Sequence, residues 1–325
     1  MMIVRNIFAS LSLASLSVAV PVASHGQLQT GTIFSDNFED YNATWTGDLN
    51  NLVGNLNDEA PANGWYGTFF NDNDRATLRA DFNSPWNSDG DNTQSVAIAR
   101  KAVDDGDSRT ILWNYFTDTV QSVQTSRFGD PLETETVNVT GSVGSVIDTN
   151  GLGFAFDLWY SNVGNQPRFE FWDADGERAI WFEARFSGNA LRINGPDGET
   201  FSNTFATGNR WYRVIVSDLD FDANTYNLTI FEWDSGNKTE VFRSETPESF
   251  ANDVSNVNSF SANAFTNQSH QVILDNFLIA SEFPDLLNVF NAWRDAQGFS
   301  LPEDGEPVAD PDGDGILNLM EYALG

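Results

Sequence analysis

Apolar and polar residues alternate at every second position through the middle of the chain, and this period constrains the fold most. The alternation is plain in five stretches: Phe154 to Tyr160, Arg168 to Trp172, Ile180 to Phe186, Trp211 to Ser217 and Tyr226 to Trp233. Successive side chains of a β-strand point to opposite faces, so each stretch predicts a strand with one buried face. Segments rich in Gly, Asn and Asp bound these stretches. The sequence therefore predicts an all-β domain over residues 28–283, folded as an antiparallel β-sandwich.

The first 24 residues differ from this domain in composition. Arg5 precedes an apolar run from Ile7 to Val20, and small residues follow at Val22 to Ser24. A basic start, a short apolar run and small residues are typical of a secretory signal peptide, so residues 1–24 are predicted to be removed and the protein to be secreted. The run is too short to span a bilayer, and we expect no insertion into a membrane.

A second change of composition follows Phe283. Pro284 ends the last predicted strand, and Asp285 can cap a helix. Apolar residues then recur at helical spacing, at Leu286, Leu287, Phe290 and Trp293. Residues 284–309 are therefore predicted to form a short helix and an acidic linker.

Residues 310–321 place oxygen donors at alternate positions, with Gly315 where the chain must bend sharply. The six predicted ligands, with Ile316 acting through its backbone carbonyl, are Asp310, Asp312, Asp314, Ile316, Asn318 and Glu321. Calcium takes six to eight oxygen ligands, and this spacing is that of an EF-hand loop. Residues 310–325 are thus predicted to be an EF-hand-like module with calcium as its cofactor. A solvated acidic turn is the alternative.

Charge and cysteine content narrow the class of ligand and the source of stability. The chain carries 47 acidic and 16 basic residues, a formal charge of −31. That charge repels phosphate backbones and anionic lipids, so we expect no nucleic-acid partner. It also favours a neutral glycan over an acidic one. Cysteine is absent, so no disulfide contributes to stability, and a large core and bound calcium are expected to replace it.

Three segments carry a resemblance to a known fold family. Residues 208–234, GNRWYRVIVSDLDFDANTYNLTIFEWD, resemble the paired central strands of concanavalin A-like (laminin G-like) jelly rolls. The segments IFSDNFEDY and VILDNFLIASE resemble the first and last strands, which lie side by side in that fold. The resemblance implies a jelly roll that binds or cleaves sugars on a concave sheet.

The C-terminal segment carries a second resemblance. The tail WRDAQGFSLPEDGEPVADPDGDGILNLMEYALG is similar to thrombospondin type 3-like and dockerin-like calcium modules. Such modules end many secreted proteins of verrucomicrobial and planctomycete type. This resemblance implies an exported protein with a calcium-organised C-terminal module.

Strand parity predicts the binding surface. If Phe169 and Phe171 face the core, their neighbours in that strand face outward, and the same rule applies to the strands on either side. The outward residues predicted to bind carbohydrate are Trp159, Arg168, Glu170, Trp172, Trp181, Glu183 and Arg185. Indoles stack on sugar rings, and charged side chains bond hydroxyls. The alternative is that loops or the C-terminal helix cover these indoles. Trp86, Trp65 and Tyr66 are further exposed candidates, but ordinary packing is the favoured interpretation of each.

Three functions follow from this surface. The leading one is a secreted, lectin-like carbohydrate-binding protein. The first alternative is an extracellular polysaccharide hydrolase or lyase using Glu170, Glu183 and Asp157, because glycoside hydrolysis needs two carboxylates. No strand carries the Glu-x-Asp-x-x-Glu run of laminarinase-type hydrolases, so no catalytic residue is assigned with assurance. The second alternative is a structural protein of the cell surface or matrix whose calcium loops govern its assembly. For the lectin-like protein, the calcium module is expected to serve stability or attachment to a cell-surface partner.

A second calcium site is conceivable where the first and last strands meet. Asp36 and Glu39 lie near the start of the domain, and Asp275 lies near its end. Their carboxylates would converge if the terminal strands pair, and Ca²⁺ prefers such ligands. The favoured interpretation is that they are ordinary turn and edge acids.

Overall fold

The computed structural model describes residues 31–43, 46–47, 56, 63–68, 74–86, 94–100, 110–124, 134–161, 167–185, 190–195, 198–202, 208–234, 236–264 and 270–283. The predicted signal peptide, the helix and linker of residues 284–309 and the calcium loop of residues 310–325 lie outside these ranges. Among the described residues, no helix is long and apolar enough to cross a membrane.

Strands make up most of the described chain. Numbered in chain order, they are β1 (Thr32–Asp36), β2 (Trp65–Thr68), β3 (Asp74–Arg79), β4 (Ser95–Arg100), β5 (Thr110–Tyr115), β6 (Thr119–Gln124), β7 (Thr134–Val139), β8 (Gly153–Tyr160), β9 (Pro167–Trp172), β10 (Arg178–Arg185), β11 (Ala190–Gly195), β12 (Gly198–Ser202), β13 (Trp211–Asp220), β14 (Thr225–Asp234), β15 (Asn237–Arg243), β16 (Glu248–Ser249), β17 (Ser259–Ala264) and β18 (His270–Ala280).

These strands form two large antiparallel sheets and one hairpin. Sheet A runs β15-β14-β13-β8-β18-β4-β3, with β1 paired to β18 and β16 to β14. Sheet B runs β12-β11-β10-β9-β17-β5-β2, and β6 pairs with β7. The terminal strands β1 and β18 lie side by side, as the resemblance implied. The prediction of an all-β antiparallel sandwich is confirmed.

Phenylalanine rings from the two sheets meet in the core. The ring centroids of Phe154 in β8 and Phe171 in β9 lie 4.5 Å apart. Phe156 lies 5.0 Å from Phe169 and 5.1 Å from Phe260 of β17. Since side chains alternate along a strand, the residues between these phenylalanines must face away from the core. The core thus fixes which side chains stand on the outer face of each sheet.

The hairpin of β9 and β10 has the register that strand parity predicts. Phe169 pairs with Phe182 on the core side, and Glu170 pairs with Trp181 on the outer side. The connecting turn is closed by Asp173, whose Oδ1 accepts from the backbone N–H of Asp175 at 3.0 Å and of Glu177 at 2.7 Å. The outward placement of both side-chain sets in this hairpin is therefore confirmed.

One part of the predicted surface is wrong. β8 was expected beside β9 and β10, but it lies in sheet A between β13 and β18, whereas β9 and β10 lie in sheet B. Asp157 and Trp159 of β8 therefore stand on the outer face of sheet A, across the core from Glu170 and Trp181. The prediction placed β8 beside β9 because the two strands are consecutive along the chain, but they face each other across the sandwich.

Candidate functional site

Polar and aromatic side chains form transverse rows on the outer face of sheet B, which we call the sheet B face. Lateral pairing aligns a middle row of Tyr66, Trp113, Ser261, Glu170 and Trp181. A second row holds Asn263, Arg168, Glu183 and Arg192. A third row holds Tyr115, Ser259, Trp172 and Arg178. Neighbouring strands lie about 4.8 Å apart, so each row brings its side chains within contact distance.

Glu183 anchors one side of this face. Its Oε2 accepts from Arg168 Nε at 3.0 Å, and its Oε1 accepts from Arg192 Nη1 at 2.9 Å. Only 2% of Glu183 is exposed, so the carboxylate is paired on both oxygens and shielded from water. Charge-assisted bonds of this kind hold guanidinium groups in fixed positions.

Trp181 lies beneath three guanidinium groups. The Arg192 and Arg168 guanidinium carbons lie 4.4 and 4.7 Å from its ring centroid, and that of Arg178 lies 5.4 Å away. The residue is 4% exposed, and its indole Nε1–H has no hydrogen-bond partner among the described residues. Trp181 faces outward as predicted, but arginine side chains cover it, and it presents no open stacking surface.

Glu170 lies between Arg178 and Asn263. Its Oε1 accepts from Arg178 Nη1 at 3.3 Å, and its Oε2 accepts from Asn263 Nδ2 at 3.4 Å. Burial raises the pKa of Glu170, although the charges of Arg168 and Arg178 act in the opposite direction. Because a carboxylate only accepts, Asn263 must turn its nitrogen toward it. Its other amide atom, Oδ1, is buried and finds no donor within the described parts of the chain.

Trp172 and Trp113 form the aromatic part of the face. Their ring centroids lie 6.1 Å apart at an angle of 44°, and Trp113 stacks on Tyr115 at 5.5 Å. The Nε1–H of Trp172 donates to Ser261 Oγ at 3.1 Å. All three rings are partly exposed, so this is where an aromatic surface meets solvent.

Sequence reasoning found part of this site and missed part of it. Arg168, Glu170, Trp172, Trp181 and Glu183 come together as predicted. Arg185 ends β10 opposite Ala190, and its side chain lies outside the described set. Residues that were missed are Trp113, Arg178, Arg192, Ser261 and Asn263. The alternation of Leu112 with Trp113 indicates a strand with one buried face, so it could have predicted that Trp113 faces outward from β5.

The outer face of sheet A is a separate environment. Asp157, with no exposed surface, accepts from Arg213 Nε at 2.6 Å and from Asn276 Nδ2 at 2.6 Å. Trp159 meets the ring of Phe82 edge-on at 5.1 Å. Residues 80–86 pass over this face, and the backbone N–H of Ser84 donates to Asp275 Oδ2 at 2.8 Å. Trp159 therefore packs against a loop on sheet A and does not share a face with the other predicted carbohydrate-binding residues.

The weaker aromatic candidates also pack. Trp65 and Tyr66 have no exposed surface, and Trp65 donates from Nε1 to Asp36 at 2.9 Å. Trp86 lies edge-on to Trp233 at 5.5 Å on the sheet A side. Ordinary packing, the favoured interpretation of Trp65 and Tyr66, is confirmed, because both belong to β2, which is covered on both faces.

The three acids of the predicted second calcium site do not converge. Asp36 accepts from Tyr41 Oη at 2.6 Å as well as from Trp65, and Glu39 accepts from the backbone N–H of Gln94 at 2.7 Å. Asp275 lies on the outer face of sheet A beneath Ser84. Over the ranges that the structure describes, no three acidic, histidine or cysteine side chains are gathered as a metal site. The structure agrees with the favoured interpretation of ordinary turn and edge acids, because each carboxylate has a different partner.

The arrangement of the carboxylates bears on catalysis. Asp157 lies across the core from Glu170 and Glu183, so the three acids do not share one surface. Glu183 is already bonded to two guanidinium groups, which leaves Glu170 as the acid on the sheet B face with the raised pKa. Glycoside hydrolysis requires two carboxylates with separate tasks, and the sheet B face offers one that suits a proton donor.

Comparison with known proteins gives a likeness of fold. No protein-family model and no curated protein matches the chain. Lectin II from Ulex europaeus is 7% identical over 67% of this chain and 92% of the lectin, with a TM-score of 0.40. The globular domain of T. cruzi calreticulin is 9% identical over 70% and 88%, with a TM-score of 0.39. A sialidase is 13% identical over 58% of this chain, which spans only 17% of the sialidase's length, with a TM-score of 0.32. These values carry no conclusion about activity.

Proposed function

We propose that this chain is a secreted carbohydrate-binding protein whose glycan site is the sheet B face. The observation that carries the proposal is a pair of buried, unsatisfied polar atoms on either side of Glu170. Trp181 Nε1 is a donor and Asn263 Oδ1 is an acceptor, and neither has a partner among the described residues. Buried polar groups without partners are uncommon and costly, so such a pair points to a ligand that completes them.

Sugar hydroxyls suit these two atoms. A hydroxyl donates one hydrogen bond and accepts others, so it can satisfy an indole N–H and an amide oxygen in turn. Trp172 lies in the strand between those of Trp181 and Asn263, and Trp113 lies in the strand beyond Asn263. Both offer partly exposed indole faces on which the C–H faces of a sugar ring can stack. Small-molecule sites in proteins usually combine an apolar surface with a few converging polar groups.

Arg178 is the group that a ligand must move. Its guanidinium carbon lies 5.6 Å from the Trp172 ring centroid and 5.4 Å from that of Trp181. The side chain is 37% exposed and bonds to Glu170 at 3.3 Å, a longer contact than those made by Glu183. Displacement of this side chain uncovers the ring of Trp172 and removes one of the three guanidinium groups that lie over Trp181.

The calcium module and export belong to the same proposal. Residues 310–325 would bind calcium and either stabilise the C-terminal end or attach it to a cell-surface partner. Residues 1–24 would direct secretion, and an extracellular site suits a loop of moderate calcium affinity. If calcium instead drives self-association without glycan binding, the protein belongs to the structural class.

A binding panel tests the proposal. The mature full-length chain would be titrated against neutral and acidic polysaccharides, and the polymer that binds would be titrated against Trp172→Ala and Trp113→Ala. We expect each variant to lose affinity on the order of tenfold, because each removes a stacking surface. Trp159→Ala is the matched control, since it removes a partly buried indole from the other sheet. Equal losses in Trp172→Ala and Trp159→Ala would reject the site.

The enzymatic alternative rests on the raised pKa of Glu170. An acid that stays protonated more readily could serve as a general acid toward a glycosidic oxygen. Incubation of the same polymers would show reducing ends or an unsaturated product if this alternative holds, and Glu170→Gln would abolish the signal. Binding without product would exclude it in favour of the lectin-like function.

A further inference from the structure

The sheet B face has a surplus of positive charge. Three guanidinium groups, of Arg168, Arg178 and Arg192, surround Trp181, whereas two carboxylates, of Glu170 and Glu183, lie among them. This balance is opposite in sign to that of the whole chain, whose formal charge is −31. The sheet B face is therefore locally positive in an acidic protein, which suits a negatively charged ligand.

The surplus is concentrated on Arg178. Glu183 forms ion pairs with Arg168 and Arg192 at 2.9 Å each, and those guanidinium groups are 25% and 15% exposed. Arg178 is the most exposed of the three, and its ion pair with Glu170 is 3.3 Å long. The cation nearest to solvent is thus the one least firmly neutralised.

We propose that the glycan bound on the sheet B face carries an anionic substituent, a uronate carboxylate or a sulfate ester, which pairs with Arg178. The inference rests on the proposed function and names the chemical class of its ligand. A guanidinium presents a planar fork of donors that matches two oxygens of a carboxylate or sulfate. Such a substituent replaces Glu170 as the partner of Arg178 and draws the side chain off the indoles.

The total charge of the chain does not forbid this ligand. Salt screens exposed charges beyond a Debye length, which is about 10 Å at 0.1 M. Groups nearer than that contribute most to the local potential, and those described on this face are three arginines and two glutamates. Three further acids lie in the β9–β10 turn, where Asp175 and Glu177 are exposed and Asp173 Oδ1 is bonded to two backbone N–H groups. Water weakens the field of the two exposed acids.

Matched polymers test the inference. The mature full-length protein would be titrated with a polyuronate and with the same polymer after reduction of its carboxylates, and with a sulfated galactan before and after desulfation. We expect the anionic form of one pair to bind about tenfold or more tightly than its neutral form. The pair that shows the difference identifies carboxylate or sulfate as the substituent.

Three variants assign the preference to Arg178. Arg178→Gln should bring anionic and neutral forms to equal affinity, while it still binds the neutral form. Arg178→Lys keeps the charge but loses the planar fork, and should retain part of the preference. Arg243→Gln, which removes an exposed arginine from β15 in sheet A, is the control and should leave the preference unchanged.

The outcomes separate the inference from the proposed function. Equal binding of both members of each pair, or preference for the neutral forms, overturns the anionic ligand and leaves the glycan site intact. A preference that persists in Arg178→Gln, or that falls equally in Arg243→Gln, also overturns it. Absence of binding to every polymer overturns the glycan site and this inference together.

Discussion

Glu183→Gln measures how much the ion pairs of Glu183 with Arg168 and Arg192 contribute to stability. The substitution keeps the size of the side chain and one acceptor oxygen, but it removes the charge that faces Arg168 and Arg192. Both guanidinium groups then stay beside Trp181 without their common counter-charge. We expect the free energy of unfolding to fall, because breaking a buried ion pair leaves uncompensated charge in a poorly hydrated place.

The magnitude follows from burial. Removal of one partner of a fully buried pair costs about 3–5 kcal/mol. The Glu183 side chain is 3% exposed, but those of Arg168 and Arg192 are 25% and 15% exposed, so water recovers part of the loss. The lower end, about 3 kcal/mol, is therefore expected. With a denaturant slope of roughly 3 kcal/mol per molar of urea for a chain of this size, the midpoint falls by about 1 M.

Urea unfolding monitored by tryptophan fluorescence measures this change. Glu240→Gln is the matched control: it breaks the Arg243–Glu240 ion pair, whose side chains are 38% and 31% exposed. That exposed pair should contribute about 0–1 kcal/mol. Similar midpoints for Glu183→Gln and Glu240→Gln would refute the argument, because they would mean that the cluster on sheet B is as well solvated as an ordinary surface pair.

Three further outcomes are expected. Asp157→Asn breaks the pair with Arg213, whose side chain is 17% exposed, and should cost about 3 kcal/mol in urea unfolding. Glycan affinity should stay unchanged because Asp157 lies on the other sheet, and a drop in affinity would contradict this. Burial raises the pKa of Glu170 above the ordinary Glu value of 4.5. Its contribution to stability is therefore present below pH 4.5 and is lost as pH rises through the folded-state pKa. The free energy of unfolding of the wild type relative to Glu170→Gln should fall over that rise in pH, and a difference that does not change with pH would count against this. Calorimetry should show one calcium site with a Kd of about 10⁻⁴–10⁻³ M that the double variant Asp312→Ala, Glu321→Ala removes; an identical titration would refute the loop.

Local pattern was enough to predict the strands and the faces of the hairpin. Phe169 and Phe171 alternate with Glu170 and Trp172, and such alternation has one solution if the phenylalanines are to be buried. The short turn after Trp172 then fixes which strand lies beside β9. Register and outward residues follow from information within some twenty residues of chain, and the structure agrees with them.

Partners that are distant in sequence could not be read in the same way. β9 lies between β10 and β17, and β17 comes almost ninety residues later, so Ser261 and Asn263 enter the site through a pairing that no local pattern specifies. β8 precedes β9 directly and yet belongs to sheet A. Alternation shows which side of a strand is buried, but it does not show to which of two sheets the strand belongs.

The exposure of an outward-facing side chain could not be predicted from the local pattern either. Trp181 points away from the core as its parity requires, but long arginine side chains from β9, β10 and β11 fold over its ring. Arginine can cover apolar surface with its stem while its head stays hydrated or paired. Parity therefore predicted the direction of Trp181 correctly, whereas its exposure depended on Arg192, which reaches it from a strand not identified in the sequence.

Glu183 and Glu170 have different tasks among the arginines of the sheet B face: Glu183 supports the structure, and Glu170 pairs with the arginine that faces the ligand. Glu183 is buried and holds Arg168 and Arg192 in place, so its loss should lower stability. Arg178 is 37% exposed, and exposed ion pairs contribute about 0–1 kcal/mol, so Arg178→Gln should change ligand preference at little cost in stability. A loss of stability in Glu183→Gln together with a change of ligand preference in Arg178→Gln would show that Glu183 holds the arginines over Trp181 and that Arg178 meets the ligand. If both variants instead lose stability equally, Arg178 is a structural part of the face, and the indoles beneath it stay closed.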